Sequence, residues 1–411
     1  MTAQALTFGR ETGALRSKAF HLVCFALLVA NVAYVIGLWT AKDWIVDAAG
    51  LPIHTDFTSV YAAGRLVLAG KPALAYDWAQ HYAAENALIA HDPKAYLGWH
   101  YPPPFLMIAG LLAALPYAAA FAVWIAATLP LYLVAIRAIV GDRIGWLFAG
   151  AFPCLLPNVI SGQNGFLTAA LVGGTLTLLE TNPLTAGLCL GLLSYKPQFG
   201  ILFPLILIAG GYWKTIAAAA GTTIALALST IALFGVTPWT EFLHWLPLTS
   251  QALFAQNHTL WPQDDPAWNK FQSLFALVRL SGGGPTLAWT LQLALTTIAA
   301  IALWAMWRNR RIAFELKAAA MAVGILLATP YVYLYDLTVM AIALAFLLRY
   351  ALATGPMPGE TFGVALIAAL FLFMPFFGVP IGTMSAAIMA LLIGRRIFAD
   401  RPSPRPAILQ A

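Results

Sequence analysis

The chain has 411 residues, of which 61% are apolar and 9% charged, and its mean hydropathy is +0.80. A soluble protein typically carries roughly 25% charged residues, so the polar side chains are too few to cover a water-soluble globule of this size, and an ordinary soluble enzyme is excluded. The formal charge of +6 forms no basic stripe with interleaved aromatics, so no nucleic acid is expected as a partner.

At ~20 residues per crossing, the apolar runs predict an all-α polytopic membrane protein, one integral domain over residues 1–411, with about 11–13 transmembrane or re-entrant helices. The first run, 20–39, follows Arg10, Arg16 and Lys18 and precedes no small-residue cleavage site, so it reads as a retained span. A first polar loop covers about 40–101, where 57–70 and 78–91 have the pattern of two short helices lying on the membrane, separated by Gly70, Lys71 and Pro72. Further runs lie near 103–116, 118–139, 144–160, 164–180, 183–195, 198–213 and 215–235. After a second loop at about 236–284 come runs near 286–307, 316–329, 335–350, 361–377 and 380–394, then a tail at 395–411. Cys24, Cys154 and Cys189 fall inside apolar runs with no spacing for a metal or a disulfide framework, which leaves them a packing role.

Charge sets the sidedness. Arg308, Arg310, Arg311 and Lys317, and later Arg395, Arg396, Arg401 and Arg405, join the N-terminal bases as cytoplasmic by the positive-inside rule. The two loops hold Asp43, Asp47, Asp56, Asp77, Glu85, Asp92, Glu241, Asp264 and Asp265, and every histidine except His21. They also hold or adjoin Trp39, Trp44, Trp78, Trp99, Trp239, Trp245, Trp261 and Trp268, as expected along a membrane interface. Both loops therefore read as periplasmic or exterior, with both termini cytoplasmic. The parity of the runs between 102 and 182 does not close on that topology, so one must be re-entrant or interfacial. Either 103–116, closed by Pro116, or the proline-broken 144–160 fits that role.

Few polar groups lie at the helix edges. Asp56, in His54-Thr55-Asp56-Phe57, stands where the chain returns to the membrane surface after the first span. A carboxylate there can take a proton from a hydroxyl, or it can simply cap a helix starting at Phe57. Tyr101 precedes three prolines that enforce an extended approach to the next helix. Gln163 and Asn164, flanked by Gly162 and Gly165, put amides at a break between apolar runs; they suit hydroxyl-rich or phosphate ligands, or form an ordinary turn. Lys196 is the sole base between Arg143 and Lys214. It either faces a cavity or lipid head group, or snorkels to the interface. Asp336, after Tyr331, Tyr333 and Tyr335, opens a later span and reads as a helix N-terminal acid or as a lining group of Asp56's cavity. Asn257, His258, Asp264 and Asp265 in the second loop are candidate acceptor ligands or solvated loop residues. No His and carboxylate set has metal-site spacing, so no metal is expected.

Taken in order, Asp56-Phe57, Tyr61, Ala63-Gly64-Arg65, Gly70, Pro72, Tyr76-Asp77, Tyr101-Pro102-Pro103, Gly162-Gln163-Asn164 and Lys196-Pro197-Gln198 resemble glycosyltransferase family 87, over about residues 20–210. The resemblance implies the GT-C membrane fold. It also implies transfer of a sugar, mannose or another hexose or pentose, from a polyprenyl-phosphate donor to a hydroxyl of a lipid or glycan acceptor at the outer face of the plasma membrane, with inversion and no cofactor. The family's first-loop Asp maps on Asp56 as general base. Lys196 with Arg65 would hold the donor phosphate, and His54, Tyr61, Tyr101, Gln163, Asn164, Gln198, His258, Tyr335 and Asp336 would contact substrate. Many relatives carry a Trp and one or two His where this chain has Tyr333, Tyr335 and Asp336, so a difference is expected here in the acceptor side or in a second catalytic contact. The competing class, a polytopic transporter or lipid-linked-sugar flippase, calls for inverted repeats and ionisable groups near mid-span, and a non-catalytic scaffold is a third reading.

Overall fold

In hydrocarbon every backbone polar group must be paired internally, and a helix does so within one segment. The computed structural model describes residues 3–89, 98–254, 270–377 and 379–399. Among them the regular elements are helices, with two isolated bridges, Val46 to Pro52 and Phe271 to Tyr333. In chain order the helices are α1 (Ala3–Ala41), α2 (Asp56–Leu68), α3 (Trp78–Asn86), α4 (Pro104–Ala113), α5 (Tyr117–Val140), α6 (Ile144–Ala151), α7 (Leu155–Ser161), α8 (Gly165–Leu178) and α9 (Pro183–Leu192). They continue with α10 (Phe203–Gly210), α11 (Trp213–Phe234), α12 (Thr237–Phe254), α13 (Leu274–Leu280), α14 (Pro285–Arg308), α15 (Phe314–Ala328), α16 (Val339–Thr354), α17 (Glu360–Phe377) and α18 (Ile381–Ala399). Among the described residues, 6 helical segments are long and apolar enough to cross a membrane unaided, and the remaining apolar helices are shorter. Across the described residues the protein is an all-helical polytopic membrane protein.

The parity question has a structural answer. Segment 103–116 does not cross. Its α4 lies along α2, and both of its ends stay at one end of the bundle: Tyr101 bonds Asn164 there, and the Leu115 carbonyl accepts from the Tyr61 hydroxyl at 2.7 Å. Segment 144–160, the α6 and α7 pair bent by 59°, instead follows the α1 span along its length, with Asn31 Nδ2 donating to the Gly150 carbonyl at 3.2 Å and Trp44 Nε1 to the Ile160 carbonyl at 3.0 Å. The bend falls at Phe152, Pro153 and Cys154, where proline removes a ladder donor and Phe152 takes the extended conformation favoured before it. The helices then alternate in direction, which returns α18 to the end from which α1 starts. That end is tied by Arg396, which donates to Glu360, Thr354 Oγ1 and the Gly355 carbonyl, and by Arg349 with Glu315.

Helix α16 is the centre, buried on every face from Val339 to Leu347, as a helix that is apolar all round must be. By contrast α1 and α11 turn Leu22, Phe25, Ile224 and Leu228 outward, where only lipid suits them.

The first loop departs from its expected form. The sequence pattern lays α2 on the membrane surface, yet Asp56 through Gly64 are all buried. Gly64 makes this possible: a Cβ there would lie 2.1 Å from the Ala109 carbonyl oxygen of α4. The second loop is also more ordered than its polarity suggests, since α12 packs aromatic against aromatic on the first loop, Trp245 on Trp78 and Phe242 on Tyr76.

Candidate active site

Helix α2 begins at Asp56 itself, and its cap is Thr55. The Thr55 N–H donates to Thr58 Oγ1 at 3.1 Å, one half of a capping box. This corrects the capping alternative for Asp56: its carboxylate is not spent on closing the helix. Instead Asp56 Oδ1 accepts from Lys270 Nζ at 2.7 Å and Oδ2 from Gln163 Nε2 at 3.3 Å.

From Gln163 a chain of hydrogen bonds runs inward. The Tyr101 hydroxyl donates to Gln163 Oε1 at 3.2 Å and accepts from Asn164 Nδ2 at 2.7 Å, and Asn164 Oδ1 accepts from Lys196 Nζ at 2.8 Å. Lys196 also pairs with Asp336 Oδ1, whose other oxygen accepts the Tyr333 N–H at 3.1 Å. Every proton donor between Lys196 and Asp56 points toward Asp56. An ammonium at one end and a carboxylate at the other fix which way each amide faces. Tyr101 remains a phenol within this chain. Burial pushes its pKa well up, Asp336 and Asp56 push the same way, and its bonds to Asn164 and Gln163 oppose them only in part.

Local sequence explains the placement of the amides. Gly162 ends α7 with φ +66, a left-handed turn that few residues other than glycine adopt, and a Cβ there would lie 2.7 Å from Phe57 Cβ. Gly165 begins α8 against the Tyr335 carbonyl oxygen, which a Cβ would approach to 2.3 Å. Between these contacts Gln163 and Asn164 are held against α2 on one side and the Asp336 segment on the other. Trp124 Nε1 donates to the Gln163 carbonyl at 3.3 Å. Tyr101 is set by its ring contacts with Phe105 and Tyr195.

The expected site residues divide into two groups. Asp56, Tyr101, Gln163, Asn164, Lys196 and Asp336 are joined in one network. Lys196 does not snorkel: it is buried, with Asp336 and Asn164 as partners and the Tyr335 ring 5.0 Å away. Its ammonium is shared between the Asp336 carboxylate and the Asn164 amide oxygen. The Tyr335 ring has Lys196 Nζ 5.0 Å from its centroid and stacks on Tyr333 at 5.4 Å. The two tyrosine rings brace the network.

Outside the network, Arg65 is exposed, nine residues along α2 from Asp56 and thus about 13 Å farther along the axis and half a turn round. The Tyr61 hydroxyl is used on the Leu115 carbonyl and its ring on Tyr117, which makes it a packing residue. Gln198 is half-buried on the short helix Pro197–Phe199. His54 is half-buried and lies in the field of Asp56 and Lys270, with Nε2 buried and unpartnered. His258, like Asn257, Asp264 and Asp265, lies outside the described residues. Among the described residues no three His, Cys, Asp or Glu side chains gather in a way that could hold a metal ion.

Two contributors carry little or no signal in the sequence. Lys270 is the only lysine in 236–284, which is the one available clue. Its backbone is clamped beside the Asp336 segment, because the next residues bond across: Gln272 N–H to the Val332 carbonyl at 2.7 Å, and Phe271 ring to Tyr333 at 4.6 Å. Asn158 is marked by no pattern at all. Its Nδ2 donates to the Tyr335 carbonyl at 2.9 Å and to Thr338 Oγ1 at 2.6 Å, while Oδ1 accepts the Gly165 N–H at 2.9 Å, so α7, α8 and the Asp336 turn are locked together.

The profile of glycosyltransferase family 87 matches residues 99–330, more than half of the chain. The chain belongs to glycosyltransferase family 87. No curated protein and no solved structure matches it. The matched residues of this family 87 protein include Tyr101, Gln163, Asn164, Lys196 and Lys270, while Asp56 and Asp336 lie outside them and join through the contacts above. It is thus a membrane glycosyltransferase of the GT-C type, and among the described residues its ion pairs between helices lie at the helix ends, where a transporter would need charges at mid-span.

Proposed function

We propose that this family 87 enzyme moves a sugar, mannose or another hexose or pentose, from a polyprenyl-phosphate donor to a hydroxyl of a lipid or glycan acceptor, with inversion and Asp56 as general base. The observation that carries the reading is the position of Asp56. It is buried to 8% exposure at the first turn of α2, relieved of capping by Thr55, and turned into the polar network. In the reaction the acceptor oxygen attacks the anomeric carbon as Asp56 takes its proton. The polyprenyl phosphate departs as a stable anion, so a second carboxylic acid, needed in most glycoside hydrolysis, is not required. The reading invokes no cofactor.

Sidedness follows from charge. Arg308, Arg310, Arg311 and Lys317 lie at the end opposite Asp56, together with Arg395 and Arg396. The positive-inside rule makes that end cytoplasmic, which puts both termini there and the site on the periplasmic or exterior face of the plasma (inner) membrane. Membrane lipids and the lipid-linked donor and acceptor are the partners this placement supports.

The test is transfer from labelled polyprenyl-phosphate sugars by the protein in nanodiscs. Wild type is expected to give a glycosylated product and Asp56→Asn, inserted and melting as wild type, almost none. Equal rates for the two would sink the role of Asp56. Movement of the donor between leaflets with no covalent product would replace the transferase by a flippase.

A further inference from the structure

Of the two lysines in the site, only one has an ammonium available to a ligand. Lys196 has a side-chain exposure of 4% and is shared between Asp336 and Asn164, whereas Lys270 has 41% and, among the described residues, a single side-chain partner, Asp56. Asp56 is therefore bound by an ammonium that, among the described residues of the network, is also exposed enough to meet a phosphate. Resting on the transferase reading above, we infer that Lys270 is a catalytic residue that exchanges partners during the reaction, from the Asp56 carboxylate to the departing phosphate.

The charge balance of the step requires such a group. The acceptor oxygen forms a bond to the anomeric carbon. The bond from that carbon to the phosphate oxygen breaks, and its electron pair stays with the phosphate. The acceptor proton goes to Asp56. A donor phosphodiester with one negative charge thus becomes a phosphomonoester with two, while Asp56 goes from one negative charge to none. One unit of negative charge passes from Asp56 to the phosphate, and an ammonium between them is attracted more strongly to the phosphate as the charge develops there. Stabilisation that grows toward the transition state accelerates the step, where uniform binding would not. Lysine suits this exchange, because its ammonium is a point charge with three rotatable donors on a flexible stem. Here the stem starts from a backbone anchored by Gln272, whose N–H bonds Val332 and whose side-chain oxygen accepts the Gly382 N–H at 3.0 Å. The base end of the stem is fixed and the tip is free to move.

Partner exchange makes a binding prediction that does not depend on turnover. Farnesyl phosphate serves as the phosphomonoester probe and farnesol as its phosphate-free control, with affinities measured on the full chain in nanodiscs. Lys270→Met is expected to weaken farnesyl phosphate about tenfold and leave farnesol unchanged, with Lys270→Arg recovering most of the loss. Asp56→Asn frees Lys270 and is expected to tighten farnesyl phosphate about fivefold. In the Lys270→Met background the same Asp56→Asn change is expected to tighten it far less, because no ammonium remains to be released. Equal tightening in both backgrounds would mean that Asp56 merely repels the phosphate, and would overturn the exchange. No tightening in either would overturn it as well. The transferase reading fails separately: a wild type that binds farnesyl phosphate no better than farnesol takes both down, whereas a wild type that prefers the phosphate but shows no coupling removes only the exchange.

Discussion

Lys196 and Asp336 stand 140 residues apart in sequence and form an ion pair whose side chains are 4% and 0% exposed. The pair is completed by Asn164 on the ammonium and by the Tyr333 N–H on the carboxylate. Removing one partner leaves a buried charge uncompensated, which costs about 3–5 kcal/mol, whereas replacing both by apolar residues of similar size is near neutral. Lys196→Met and Asp336→Leu are each expected to lower the melting temperature sharply, and the double variant to recover much of it. Thermal unfolding of the three in one detergent checks this, and a double variant as unstable as the singles would remove the pair as the reason for their burial.

Asp56 and Thr58 separate chemistry from capping on a single helical turn. Asp56→Asn keeps the Thr55 to Thr58 cap and is expected to lose roughly 10²–10⁴ in transfer rate, the usual contribution of a general base, at an unchanged melting temperature. Thr58→Val removes the Thr55 cap bond and the bond to the Tyr117 hydroxyl. It is expected to destabilise by about 1 kcal/mol or somewhat more and to retain measurable transfer. Parallel assays and melts of the two variants distinguish the roles, and a Thr58→Val protein as inactive as Asp56→Asn would contradict them.

Gly162 holds the amides at the correct place through a positive φ and close contact with Phe57 and Phe121. Gly162→Ala must strain the left-handed turn by roughly 1–2 kcal/mol and push on two buried rings, which adds about 1–3 kcal/mol. Because the displaced residues include the donor to Asp56, transfer is expected to fall along with stability. Gly141→Ala, at a left-handed turn with open space around the missing Cβ, is the control: strain without crowding, far from the site, with transfer by the folded fraction preserved.

His54 reports the electrostatics of the site. Burial is the largest influence on its imidazole and holds the pKa below the ordinary 6.5, Asp56 pulls it up, and Lys270 pushes it down. The unfolded chain therefore takes up a proton at this position before the folded one does as pH falls. The stability linked to His54 is full above pH 6.5 and declines as pH drops from there toward the folded value. Lys270→Met is expected to raise the His54 pKa and Asp56→Asn to lower it. NMR titration of labelled histidine measures both shifts, and movement in the opposite sense for either variant would place His54 away from the pair.

Arg65 is exposed on the far side of α2. Arg65→Ala is expected to leave farnesyl phosphate affinity within about twofold, as typical of a surface position distant from a site. A loss comparable to that of Lys270→Met would show that the phosphate binds toward the outer part of α2.

The class of the protein and the polar residues at its helix edges are legible in the amino-acid sequence alone. Hydropathy is a property of each segment, so a lack of charge over ~20 residues identifies a span wherever its neighbours lie. The scarcity of polar groups made Asp56, Tyr101, Gln163, Asn164, Lys196 and Asp336 conspicuous, because in an apolar chain a polar residue needs a reason. The tertiary structure alone decided which partner each one has. Ion pairs and hydrogen bonds act over a few ångströms, and the residues that satisfy Asp56 lie 107 and 214 positions away. No local pattern marked Lys270 as its partner, or Asn158 as the brace behind Tyr335. Nor could segment length decide that α4 turns back while the bent α6 and α7 pair runs along α1. That depended on Gly64, whose missing side chain lets α4 settle on α2, and such close approach is visible only when both helices are in place.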